Sequence, residues 1–310
     1  MINNETLNGH VAAAITILIW GTTFISTKIL LAAFAPIEIL FFRFLMGFIA
    51  LMIVYPYRLK VKDKKQNLTF ACAGLCGITL YYLLENIALT YTMASNVGII
   101  ISAAPFFTAI LTHLFLKGEE KLRVNFFVGF GVAMIGICLI SFNGSVNLRL
   151  NPLGDFLAIT AAFVWAVYSV LTRKISSYGY NTVQTTRRVF FYGLIFMIPV
   201  VMIFNFKLGL SRFSNPVYLL NIMFLGLGAS ALCFVTWNFA VKVLGTVKTS
   251  IYIYIVPVIT VITSMIVLGE KITCMSAFGI AMTLAGLLIS ESKFDFKCLK
   301  IINMRQENIK

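Results

Sequence analysis

The stretch 83–107, LLENIALTYTMASNVGIIISAAPFF, returns in outline at 235–259 as VTWNFAVKVLGTVKTSIYIYIVPVI. Asn86 answers Asn238, and Pro105 answers Pro257. Both pairs lie 152 residues apart (86 to 238, 105 to 257). Gly118-Glu119 recurs as Gly269-Glu270 after a slip of one residue. A repeat of this length decides the architecture before any single element is read.

Working outward from it, Trp20 matches Trp165 and Arg43 matches Arg188, while Gly129 and Gly136 match Gly279 and Gly286. The halves meet in Asn143 to Pro152, a polar link containing Gly and Pro. Residues 9–142 are read as the first repeat, 153–290 as the second, and 291–310 as a basic tail.

The chain has 310 residues, of which 60% are hydrophobic and 12% charged. Soluble domains sit near 45–50% apolar and about 25% charged, so this is a membrane protein. A span requires about 20 apolar residues, because about 30 Å of hydrocarbon is crossed at 1.5 Å per residue. Ten stretches qualify: Val11–Leu31, Ile37–Tyr55, Leu68–Thr90, Ser95–Leu116, Val124–Phe142, Asp155–Ile175, Thr182–Phe204, Val217–Val243, Thr246–Leu268 and Met275–Ser290. They are continuously apolar instead of alternating, which disfavours a β-barrel. The expected fold is all-α, with ten transmembrane helices as two five-helix repeats. Five is odd, so consecutive repeats take opposite orientations in the bilayer, the inverted arrangement found in secondary transporters.

The net charge of +14 does not indicate nucleic acid, because the basic residues sit in short loops between apolar runs. Arg58, Lys60, Lys62, Lys64 and Lys65 follow the second span, and Lys117, Lys121 and Arg123 follow the fourth. Lys293, Lys297, Lys300, Arg305 and Lys310 lie in the tail. The positive-inside bias places both termini in the cytoplasm. The first apolar run has no basic leader and is span-length, so it reads as an anchor and not as a cleaved signal. The tail is either an interfacial helix on anionic lipid or a solvated segment.

The loops are too short to house a soluble catalytic domain. Two histidines, His10 and His113, lie far apart, the six cysteines are scattered, and no metal or nucleotide motif occurs. No enzyme activity, cofactor or metal site is expected, and function is confined to the bundle.

Trp20-Gly21, Arg43, the Ala-rich approach to Pro105, Gly118-Glu119 and the following glycines, repeated in order in the second half, resemble an EamA-type repeat of the drug/metabolite transporter superfamily. The resemblance covers nearly the whole chain. It implies a carrier in the inner membrane of the cell, usually an exporter of small metabolites such as amino acids, with a central cavity between the halves. Its partners would be a small-molecule substrate and the lipid bilayer, with a coupling proton as a candidate. Multidrug or cationic-compound export and a scaffold without transport are the alternatives.

Charges in hydrocarbon are costly, about 2.5–3.5 kcal/mol each on insertion scales, and persist facing a cavity or a partner. Arg43 and Glu85 lie about 8–9 Å below the outer ends of adjacent spans, where an ion pair or a site for a substrate amino group is open to them. The repeat breaks its symmetry there, since Trp237 stands opposite Glu85. Asn86 and Asn238 serve either interhelical bonding or ligand contact. Trp20, Tyr81, Tyr82, Trp165, Tyr168, Trp237, Tyr252 and Tyr254 line a cavity or pack. Pro105 and Pro257 each remove a helical hydrogen bond, which makes them hinges or static bends. Arg187 and Arg188 lack an acidic partner at their depth, and snorkelling to lipid phosphate is the expectation for at least one.

Overall fold

Asparagine and proline set the helix starts of the second half. Asn151 Oδ1 accepts from the amides of Leu153 and Gly154, with Pro152 in the first turn. Asn181 caps the next helix, and Asn215 followed by Pro216 caps the one after. Each cap satisfies amides that the first helical turn leaves unpaired, and proline there has no amide to waste.

The computed structural model describes residues 4–61, 63–91, 94–116, 124–142, 151–204, 206–268 and 273–291. These residues are all-helical, without strands. Eight helices are long and apolar enough to cross a membrane. They are α1 (Asn4–Leu30), α2 (Pro36–Val54), α3 (Lys64–Ala88) and α4 (Val97–Phe115) in the first half. The second half supplies α6 (Pro152–Ser176), α7 (Thr182–Ile203), α8 (Pro216–Leu244) and α9 (Thr246–Thr263). Two shorter apolar helices, α5 (Val124–Ile140) and α10 (Cys274–Ser290), stand where the fifth and tenth spans were expected. The Gly-Glu pairs at 118–119 and 269–270, most of the link at 143–152 and the tail from 292 lie outside the described residues.

Both copies break their regular winding at matching places. A π-helical stretch, Leu75–Leu80, interrupts α3, and Phe224–Leu232 interrupts α8. Turn residues Ser102 and Ala103 precede Pro105 in α4, and a 3-10 segment, Tyr252–Tyr254, precedes Pro257 in α9. A proline with no amide to donate leaves an acceptor open one turn back, and the helix rewinds around it. Beyond α8 the chain turns at Gly245, whose φ of +86° lies in the region that favours glycine.

Packing between the halves is reciprocal. α1 lies against α8, and its counterpart α6 lies against α3. α2 packs on α7 and on α8, while α7 packs on α2 and on α3. α1 meets α9 just as α6 meets α4, and α5 pairs with α10. The halves are interlocked, and the core runs between them through Phe44, Phe70, Tyr168, Phe190, Phe234 and Trp237, all fully buried. Outward faces carry exposed aliphatics such as Ile53, Val54, Met202 and Ile203, the surface a lipid solvent accepts.

The α5–α10 pair shows why four glycines recur seven residues apart. A Cβ on Gly136 would stand 2.5 Å from the Thr283 amide and 2.6 Å from the Gly279 carbonyl oxygen. One on Gly129 would stand 2.5 Å from the Gly286 carbonyl oxygen. The helices meet backbone to backbone, which only small residues permit.

Replacing Gly136 by leucine is expected to force α5 and α10 apart and to destabilise the protein by about 1–3 kcal/mol, the usual range for overpacking. Thermal unfolding in detergent measures it. Substitution at Gly131, which faces open space, serves as the neutral comparison.

Candidate functional site

Trp20 on α1 and Trp165 on α6 are repeat counterparts, and they meet each other. Their ring centroids lie 5.4 Å apart in an edge-to-face contact. Two equivalent residues touch only where the relation between the halves passes through them, as in a two-fold contact between identical subunits. Trp237 on α8 completes the group, 5.1 Å from Trp20 and 6.1 Å from Trp165. All three tryptophans of the chain therefore gather at one point. Tyr81 reaches Trp165 at 4.9 Å, Tyr168 reaches it at 5.2 Å, and Phe234 lies 5.9 Å from Trp20. The rings of this aromatic centre pack edge to face or tilted against one another.

Its polar groups are unequally satisfied. Trp20 Nε1 donates to the Ala229 carbonyl at 3.0 Å. The indole nitrogens of Trp165 and Trp237 are buried without a hydrogen-bond partner among the described residues. An unpaired buried donor is destabilising by roughly 1–3 kcal/mol, and these two lie at the point where the halves meet.

Arg43 and Glu85 sit on the flank of the same group, 6% and 8% exposed. They do not form an ion pair within 4 Å among the described residues. Arg43 Nε instead donates to Ser230 Oγ at 3.0 Å, and the guanidinium lies 4.8 Å over the Tyr82 ring and 5.2 Å over Phe44. The planar guanidinium stacks where an ammonium would not. Glu85 is left with Arg43 and Tyr81 as electrostatic neighbours but no hydrogen bond among the described residues. Ser230 carried no signal in the sequence; it is one of many small residues in α8.

The two asparagines differ. Asn238 Oδ1 accepts from the Tyr168 hydroxyl at 3.0 Å, and its Nδ2 donates to Thr186 Oγ1 at 2.9 Å, tying α6, α7 and α8 together. Asn238 also borders a narrow cleft with room for about 10 Å³, lined by Thr172, Ser176, Thr185 and Lys242. Asn86 is half-buried on α3, and no hydrogen bond joins it to another helix among the described residues. Tyr252 stands apart from the centre. It bonds His10 Nδ1 at 2.7 Å, and His10 lies ten residues before Trp20, about 15 Å away along α1.

Arg187 and Arg188 depart from expectation. Arg187 donates to the carbonyls of Tyr55 and Tyr57 at 2.5 and 2.6 Å, and Arg188 to Asn67 Oδ1 at 2.5 Å and the Leu59 carbonyl at 3.2 Å. Loop carbonyls of the first half, with Asn67 on α3, take their terminal nitrogens inside the protein. No group of three or more His, Cys, Asp or Glu that could hold a metal occurs among the described residues.

Replacing Asn238 by leucine removes both bonds and leaves the buried Tyr168 hydroxyl without its amide acceptor, with Thr172 beside it. We expect a loss of about 1–3 kcal/mol in thermal unfolding. Combining it with Tyr168→Phe should recover part of that loss, since that hydroxyl is then gone.

The profile of the EamA-like transporter family matches residues 7–142 and again residues 152–291. A protein of Archaeoglobus fulgidus described as an uncharacterized transporter is 30% identical, the match covering 94% of this chain and 99% of that one. A probable terminal-alkyne amino-acid exporter of Streptantibioticus cattleyicolor is 24% identical, over 90% and 91% of the two chains. A crystal structure at 19% identity superimposes with a TM-score of 0.74 over 94% of this chain and 99% of that one, a likeness of fold. The two tandem matches span most of the sequence, and the chain belongs to the EamA-like transporter family.

Proposed function

We propose that the protein is a secondary transporter that exports small organic metabolites such as amino acids by alternating access to its aromatic centre. In this reading ten helices cross the inner membrane as two inverted repeats, with both termini in the cytoplasm. The basic loops support that orientation, and the reciprocal packing of α1–α5 against α6–α10 supports the inverted relation. The observation that carries the reading is Glu85: a carboxylate 8% exposed, without an ion pair among the described residues, one turn from Tyr81, which packs on Trp165 where the halves meet. A charge kept in hydrocarbon without structural employment is a functional group by default.

In this scheme Glu85 receives the substrate's amino group or a coupling proton, while Trp20, Trp165, Trp237, Tyr81 and Tyr168 close around the organic body. Arg43 and the two unpaired indole N–H groups are the donors available to an acceptor on the substrate. The name of the Streptantibioticus relative supports an amino-acid cargo. Pro105 and Pro257, each following a local rewinding of its helix, are the proposed hinges. Export of organic cations is the second reading, favoured by the same unpaired Glu85.

Counterflow into proteoliposomes preloaded with amino acids, nucleobases, organic cations or organic acids tests the function. Accumulation of labelled amino acid only in vesicles preloaded with an amino acid supports it. Uptake with none of the panel overturns it. Glu85→Gln at equal membrane abundance is expected to lower the rate for an amino-bearing substrate about tenfold or more, the effect of one lost charge-assisted bond. Unchanged kinetics removes Glu85 from the mechanism.

A further inference from the structure

At one end of the bundle, residues 31–35 join α1 to α2 and residues 206–215 join α7 to α8. Glu38, in the first turn of α2, is 3% exposed and accepts three hydrogen bonds. One comes from the Ala35 amide at 2.9 Å and caps its own helix. The other two come from the opposite half: the Lys207 amide at 2.9 Å and Arg212 Nη1 at 2.6 Å. Arg212 also donates to the carbonyls of Ala33 and Lys207, both at 2.8 Å, and lies 4.2 Å over the Phe34 ring. Gly209 makes the turn possible. Its φ is +37°, and a Cβ there would meet the Arg212 guanidinium at 2.6 Å.

The opposite end is joined differently. There Gln184, Arg187 and Arg188 bond loop carbonyls and Asn67, while Tyr178 and Tyr180 bond Thr69 and Gln66. That junction is spread over many contacts, none of them an ion pair among the described residues. The Glu38 end centres on one carboxylate, which alone holds both the Lys207 amide and Arg212, beside the Arg212–Ala33 bond and the packing of Phe34 on Phe213, so losing that charge weakens the junction at its centre. Below the latch the path leads inward through known contacts. Arg43 lies five residues deeper on α2, about 7.5 Å, and bonds Ser230. Next to Ser230, Ala229 holds Trp20 of the aromatic centre.

We infer that Glu38 and Arg212 form the gate that closes this end of the transport path, and that their separation is the step that opens it. The gate joins the two halves, which must part there for a substrate to pass. Separation returns both charges to water, and regained hydration offsets much of the lost attraction, so the pair suits repeated opening. This gate rests on the alternating-access reading above.

Cys233 is the natural reporter. It is fully buried on α8, one turn beyond Ser230, and its thiol contacts the Thr16 carbonyl at 3.8 Å. In the full chain with the other five cysteines replaced by alanine, reconstituted in oriented vesicles, we would measure its modification by a small membrane-impermeant thiosulfonate added to each side in turn. Glu38→Gln keeps an oxygen for the Ala35 amide and so spares the helix cap while removing the charge. It is expected to raise the labelling rate from the gated side about tenfold or more. Arg212→Gln should match it, and the double variant should add little, because both act through one pair. A rate that does not change, or that rises equally from both sides, overturns the gate. Should Glu38→Gln fail to fold, Arg212→Gln alone decides by the same criterion. Counterflow in the same vesicles separates the readings. Labelling that responds in a protein moving no compound overturns transport and leaves the closure standing, while flux with unresponsive labelling overturns only the gate.

Discussion

Polar groups inside hydrocarbon must find partners within the protein, and here the partners come from the other half of the chain. Arg43 of α2 bonds Ser230 of α8, Trp20 of α1 bonds the Ala229 carbonyl, and Thr79 of α3 bonds the Gly193 carbonyl of α7. Thr16 and Thr236 pair across α1 and α8 at 2.6 Å, and Thr112 and Thr246 pair across α4 and α9 at 2.7 Å. With water absent, an unmet donor or acceptor is too destabilising to be common. Each half therefore completes the other, and the interlocked order of helices follows.

Duplication explains the reciprocity, and divergence explains the chemistry. Where the copies agree, they build: the prolines rewind α4 and α9, and the glycines bring α5 onto α10. Where they disagree, a group is released from construction. Arg188 bonds the Leu59 loop carbonyl and Asn67 on α3, while its counterpart Arg43 turns into the interior and stacks on Tyr82. Glu85 stands where the other copy has Trp237, which is fully buried against Trp20. The centre is thus symmetric in its aromatic walls and asymmetric in its charge, which suits a substrate that is itself asymmetric.

The two ends of the molecule carry the same contrast. Equivalent junctions close them, loop against helix start, yet one is an ion pair over a phenylalanine and the other a web of arginine and tyrosine contacts. Ion pairs exchange readily with water, whereas bidentate contacts to backbone carbonyls hold a loop in register. A carrier of this design would open its two faces with unequal ease.

Much was legible in the sequence because the bilayer imposes strict length and polarity on each span. The repeat follows from apolar runs and matched residues alone, as does the close approach at Gly129, Gly136, Gly279 and Gly286, while of the ten expected spans eight reach crossing length among the described residues. Partner choice was not legible, since it depends on which helix face meets which neighbour. The ion pair open to Arg43 and Glu85 is absent among the described residues, and an ordinary serine on α8 took the hydrogen bond of Arg43. Arg187 and Arg188 found carbonyls of a distant loop, Tyr252 went to His10, and Glu38 met an arginine 174 positions away. Sequence by itself determined that the chain spans a membrane as a duplicated helical bundle and that Glu85 breaks the pattern. Only the tertiary structure decided that the three tryptophans meet, that Glu85 lies one turn from the tyrosine packed on one of them with no ion pair among the described residues, and that Glu38 and Arg212 join the halves at one end. Those facts depend on the rotation and depth of packed helices, which no run of residues encodes locally.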